Sequence, residues 1–130
     1  MYFEIPVTDM QRAMAFYEAV FGYDFVLENI HGNEIAFLPF EKKEKGITGA
    51  LAKGKTYKPS HDGSLIYLHV DNINKIIAFA IKHGGRNLFP RTQASEYGFV
   101  AEIEDSEGNR IGLSELKKIT KFFWFVQAFA

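Results

Sequence analysis

Apolar and polar positions along this chain switch between two periods, and the switch points mark its elements. The apolar run 2–7 reads as a strand. Behind it Met10, Ala13, Met14, Tyr17 and Phe21 recur at helical spacing and make one apolar face. Thr8, with Gln11 three residues later, has the form of a capping box, and Gly22 stands where a left-handed helix end costs least. Three short extended stretches follow, at 23–27, 34–40 and 47–51.

The same order then recurs at one fixed offset, which carries Val7 onto Val70, Gly22 onto Gly85 and Gly49 onto Gly112. The second unit opens with a strand at 65–70, an Asp71 or Asn72 cap, and a helical stripe of Ile73, Ile76, Ile77, Ala80 and Ile81. Gly84 and Gly85 stop that helix, and extended stretches follow at 87–89, 98–103 and 110–115. One helix and four short strands leave a sheet face uncovered, so the two units are expected to pack together. The expected architecture is α+β: one domain over 1–130, with a first βαβββ unit at 1–53, a linker at 54–63, a second unit at 64–117 and an apolar tail at 118–130. The linker carries Gly54, Pro59, Ser60 and Gly63, which suits a flexible connection or a rim over a cleft.

Composition narrows the chemistry. At 47% hydrophobic and 15% aromatic, 130 residues can bury a sizeable core. The absence of cysteine excludes disulfides, thiolate metal sites and a cysteine nucleophile. A formal charge of -1 with no basic stripe argues against nucleic acid as a partner. No apolar run reaches the roughly 20 residues of a membrane-spanning helix, and the chain begins directly on a strand, so a cytoplasmic location without a membrane is expected.

The tandem units, the opening Phe3-Glu4-Ile5-Pro6-Val7-Thr8-Asp9 with Arg12 and Phe16-Tyr17, and the closing Asp105-Ser106-Glu107-Gly108-Asn109-Arg110-Ile111 carry a family likeness. The chain resembles the vicinal oxygen chelate superfamily, which includes glyoxalase I, extradiol dioxygenases, fosfomycin resistance enzymes and bleomycin resistance proteins. That resemblance implies a curved mixed sheet around a cleft, in which metal-dependent members hold one divalent ion with four His or Glu side chains. The matching positions here are Tyr2, Gly49, Leu65 and Gly112, which lack the required nitrogen and oxygen donors apart from one phenol. The metal site is therefore expected to be absent, and with it metal-dependent lyase, dioxygenase and thiol-transfer chemistry.

Alternation along the strands puts Tyr2, Glu4, Leu65, Tyr67, His69, Arg110 and Ser114 on the face that lines the cleft in this family. Gly49 and Gly112 are expected to leave room there. His69 is a candidate proton shuttle or a hydrogen-bonded sheet histidine; Glu4 is a candidate base or cation anchor, or a partner of Arg110. Glu102 and Glu104 share one side of a strand and read as a solvated face, as do Glu41, Lys42, Lys43, Glu44 and Lys45. Phe16, Tyr17 and Phe21 read as core. The tail, with Phe122, Phe123, Trp124, Phe125 and Phe129, needs cover from its own chain, a partner or the cleft mouth.

Two functions are expected from these readings. One is a metal-free module that binds a small organic molecule without a cofactor, as a homodimer. The other is a metal-independent enzyme of proton-transfer, isomerase or lyase type acting on a small metabolite, with His69 or Glu4 as its catalytic group.

Overall fold

The computed structural model describes residues 2–38 and 48–117. The charged turn around Glu41 to Lys45 and the tail from Ile119 onward lie outside the described residues. Among the described residues no helix is long and apolar enough to cross a membrane.

The first unit runs β1 (Tyr2–Pro6), α1 (Met10–Phe21), β2 (Val26–Ile30), β3 (Asn33–Phe37) and β4 (Thr48–Lys53). The second runs β5 (Tyr67–His69), α2 (Ile73–Lys82), β6 (Arg86–Ser95), β7 (Gly98–Glu104) and β8 (Arg110–Leu116). Each unit folds its strands into one four-stranded mixed sheet, in the orders β1-β4-β3-β2 and β5-β8-β7-β6. In both, the first strand lies parallel to the last and every other pairing is antiparallel. A strand that leaves through a helix and must return beside a parallel neighbour produces this arrangement.

Both helices cover the same side of the sheets. Ile5, Val7 and Leu51 from the first unit join Leu68, Ile103, Ile111 and Leu113 from the second around Phe16 and Tyr17 of α1 and Ile73 and Ala80 of α2, all buried. Neither unit closes this core alone, because its residues come from both sheets and both helices. The expected aromatic core on α1 is present and extends outward: Tyr17 stacks on Phe21 and Phe21 on Tyr23, with centroids 5.6 and 5.2 Å apart. That stack draws 23–25 into the core side, so β2 begins at Val26, three residues later than the sequence suggests.

Helix α1 also starts one position later than the capping pattern implies. Asp9 is the N-cap, accepting from the Arg12 amide at 3.0 Å, while the Thr8 hydroxyl donates to Glu107 instead. A carboxylate arriving from the second unit outcompetes the local capping box of Thr8 and Gln11. Asn72 caps α2 through the Lys75 amide, and Gly22 ends α1 in the left-handed conformation. Strand β6 runs to Ser95, well past the short stretch expected, because Pro90 sits on an outer strand among register shifts, where a missing N–H is tolerated.

The fixed offset also fails by one residue at the last strands. The Val7 amide donates to Ala52 O at 2.9 Å and the Val70 amide to Ser114 O at 2.8 Å. Ala52 and Ser114 are therefore counterparts, whereas the offset would have matched Ala52 with Glu115. The structural counterpart of Gly112 is consequently Ala50, and Gly49 falls on the opposite side of its strand.

Candidate functional site

On β1 the side chains of Phe3 and Ile5 join the helix-covered core, so Tyr2, Glu4 and Pro6 point to the open face. On β5 and β8 the same alternation sends Leu68, Ile111 and Leu113 to the core and leaves Tyr67, His69, Arg110, Gly112 and Ser114 on the open face. Register agrees with this division: Tyr67 lies opposite Gly112 and His69 opposite Ser114.

Glu4 is held by two phenols. Tyr2 Oη donates to its Oε2 and Tyr57 Oη to its Oε1, each at 2.9 Å. Burial, then the hydrogen bond to Glu4, pushes the Tyr2 phenol up to about 12, so Tyr2 remains a donor throughout the neutral range. Tyr57 arrives from the segment between the units. That segment is anchored again where the Ser60 amide donates to Asn109 Oδ1 at 3.2 Å. Beside Glu4 lies a cavity of about 130 Å³ whose wall includes Ser60, Asp62, Ser64, Asn109 and Arg110.

The expected Glu4–Arg110 pair does not form. Arg110 instead grips Glu102 at two points, Nε to Oε1 at 2.6 Å and Nη2 to Oε2 at 3.0 Å. Glu102 faces Gly112 across the antiparallel pair, which puts it on the same face as Arg110, two residues along the neighbouring strand. A bidentate guanidinium contact at that range wins over a carboxylate on another sheet. Its hydrogen bonds hold the Glu102 carboxyl below the usual range. Glu104 is likewise no solvated acid, since Arg86 and His61 reach its Oε2 at 2.7 and 2.8 Å.

The two glycines do not leave room. A Cβ on Gly112 would lie 2.5 Å from the Tyr67 ring, and one on Gly49 would lie 2.5 Å from the Phe3 ring. Each aromatic side chain has folded over the glycine opposite it and filled the space. Gly49, moreover, sits beneath Phe3 on the core side and not on the open face.

Of the remaining candidates, Leu65 is half-buried just before β5, Ser114 is half-buried, and His69 is exposed. The His69 side chain makes no hydrogen bond with any described residue, and neither it nor Leu65 belongs to the cavity wall that Glu4 and Arg110 share. Among the described residues, no three His, Cys, Asp or Glu side chains converge as a metal cage. At the positions matched to ligands on the open face, Tyr2 offers a protonated phenol, Leu65 a hydrocarbon, and Gly112 and its structural counterpart Ala50 nothing, so this donor set does not fit a divalent cation. Sequence reasoning passed over Tyr57 and Asp62, read Glu102 as part of a solvated face, and gave Asn109 no place at the site. An aromatic ring within a polar linker was the one signal that could have exposed Tyr57.

The closing turn, which carried much of the likeness, has a structural job. Asp105 is buried, accepts from the Tyr17 hydroxyl at 2.7 Å, and also takes donors from Asn109 and Glu107. Asn109 Nδ2 donates onward to Pro6 O at 2.8 Å, which fixes β1 beside the start of β8. The cavity wall is built on this join.

A family model described as "Glyoxalase/Bleomycin resistance protein/Dioxygenase superfamily" matches residues 1–113. No curated protein matches the chain. Among solved structures, a glyoxalase family protein from Bacillus cereus is similar with a TM-score of 0.66 at 20% identity, covering 88% of this chain and 91% of that one. A glyoxalase/bleomycin resistance protein from a Streptomyces species has a TM-score of 0.63 at 25% identity, with 88% and 97% covered. A glyoxalase I mutant from Zea mays has a TM-score of 0.63 at 16% identity over 86% of this chain, and spans 44% of the maize protein. At these identities the structural likenesses speak for the fold.

Proposed function

The chain belongs to the glyoxalase/bleomycin resistance protein/dioxygenase superfamily, and from that premise we propose that it binds a small organic molecule on the open face around Glu4 without the help of a divalent metal. The observation that carries this reading is the Glu4 carboxylate, fixed by the Tyr2 and Tyr57 hydroxyls at the wall of a cavity that sets polar side chains beside Ile5, Pro6, Ile66 and Ile111. Two neutral donors aim the carboxylate but leave its charge in place. A preorganised charged group beside apolar rings is the usual composition of a small-molecule site.

Capture is favoured over catalysis because, among the described residues at the cavity, the nucleophile–base contacts are the two phenols on Glu4, and both phenols are held more firmly protonated than usual. His69 stands outside the wall, and both Glu4 oxygens accept hydrogen bonds from phenols that stay protonated at neutral pH.

A thermal-shift screen of small metabolites and drugs, run with and without a chelator, tests the proposal. A true ligand at 100 times its dissociation constant adds about 2.7 kcal/mol of stability. The expected result is at least one compound whose stabilisation is the same with chelator and is weakened by Glu4→Gln. Stabilisation that disappears with chelator would return a metal to the site and overturn the reading.

A further inference from the structure

We propose that the molecule taken at this site is a small organic cation, an ammonium or guanidinium head on a short stem, with Glu4 as its counter-ion. The inference rests on the site proposed above and narrows it to one chemical class.

Charge on the cavity wall is the first argument. Among the described residues of the wall Arg110 is the one cation, and its Nε and Nη2 are paired with Glu102, whose charge offsets its own. Glu4 accepts from neutral phenols, and neither Glu4 nor Asp62 forms an ion pair with any described residue. Ser60, Ser64 and Asn109, which complete the polar part of the wall, are neutral. The wall thus holds two carboxylates with no counter-charge. An anionic ligand would meet both, and the one cation it could reach, Arg110, already has its charge offset by Glu102. A cationic ligand supplies the missing charge.

Geometry is the second. Each phenol occupies a different oxygen of Glu4, so each oxygen retains an acceptor site for an incoming N–H. Tyr2 presents its ring beside the carboxylate, about half exposed at 46%, with the Phe37 ring tilted against it at a centroid distance of 6.3 Å. Aromatic faces carry negative potential and attract a cation that comes within reach. Size is the third: about 130 Å³ corresponds to the liquid volume of roughly four waters, enough for a charged head and a short stem.

The test uses three matched probes on the intact protein: benzylammonium, benzyl alcohol and benzoate, titrated while the backbone amides are followed by NMR. Benzylammonium should bind at least about tenfold more tightly than benzyl alcohol, with benzoate weakest, and should move the amides of Glu4, Ser60, Asp62 and Ser64. Glu4→Gln should reduce that ratio to near unity by weakening benzylammonium far more than benzyl alcohol. In wild type the ratio should also shrink as salt rises toward about 0.5 M, a check that survives if the variant does not fold. Equal or tighter binding of the alcohol or benzoate at the same amides overturns the cation and leaves the site standing. If none of the three probes moves those amides, the site itself is wrong.

Discussion

Arg12 and Glu107 stand 95 positions apart and meet at two points, Nε to Oε2 at 2.7 Å and Nη2 to Oε1 at 3.1 Å. Arg12 lies in the first turn of α1 and Glu107 in the turn between β7 and β8, so the pair crosses from one unit to the other. Glu107 Oε1 also accepts from the Thr8 and Asp9 amides at 3.0 and 2.8 Å, satisfying donors at the start of a helix where negative charge is favoured. The carboxylate side chain has 0% exposure. Burial alone would raise its pKa, but hydrogen bonds from Arg12, Asp9, Thr8 and Ser106 outweigh that and bring it down to about 2.

Stability should therefore depend on pH through Glu107. The folded pKa lies below the unfolded value of 4.5, so the contribution is fully present above about pH 5 and is lost as pH falls toward 2. A depression of this size corresponds to something on the order of 3 kcal/mol. Urea unfolding of wild type and Glu107→Gln across that range checks it. The difference between the two proteins should shrink steadily below pH 5; a gap that stays constant would mean that the ionised carboxylate is not its source.

Tyr17 and Asp105 make a second, drier join, with the phenol donating to the buried carboxylate at 2.7 Å. Burial raises the Asp105 carboxyl, and its four donors oppose that rise. Tyr17→Phe keeps the ring packed and removes one of those donors, which should cost about 1 to 3 kcal/mol. Asp105→Ala should cost more, because it strands the Tyr17 hydroxyl and undoes the Asn109 contacts as well. Equal losses in the two variants, measured by chemical unfolding, would show that the turn is held by something other than Asp105.

Much of this was legible in the sequence because period and punctuation are local. The stripe containing Ala13 and Tyr17, the Gly22 cap and the duplicated strand order all follow from spacing along one stretch of chain. What escaped depends on partners far away in sequence. Thr8 looked like a cap until Glu107 took its hydroxyl, and Arg110 could not be assigned between Glu4 and Glu102 without the β7–β8 register. The offset placed Gly49 with Gly112 because the duplicated glycines align, yet one residue of slip between β4 and β8 sends them to opposite faces. Strand parity is unforgiving of a single residue, which is why the site was less legible than the fold.

The same slip makes a prediction about Gly112. Its partner across β5 and β8 is Tyr67, whose ring atoms Cδ1, Cε1 and Cγ lie 2.5 to 2.8 Å from where an alanine Cβ would stand. Gly112→Ala must push the ring aside, and overpacking of this kind costs about 1 to 3 kcal/mol. Tyr67 is 47% exposed, so Tyr67→Ala alone should cost less than a buried aromatic would. With the ring gone, Gly112→Ala should become neutral or mildly stabilising, since alanine restricts the unfolded chain more than glycine does. The four proteins form a double-mutant cycle, and their unfolding free energies should show a coupling of about 1 kcal/mol or more. Additivity within about 0.5 kcal/mol would mean that the ring does not rest on the glycine.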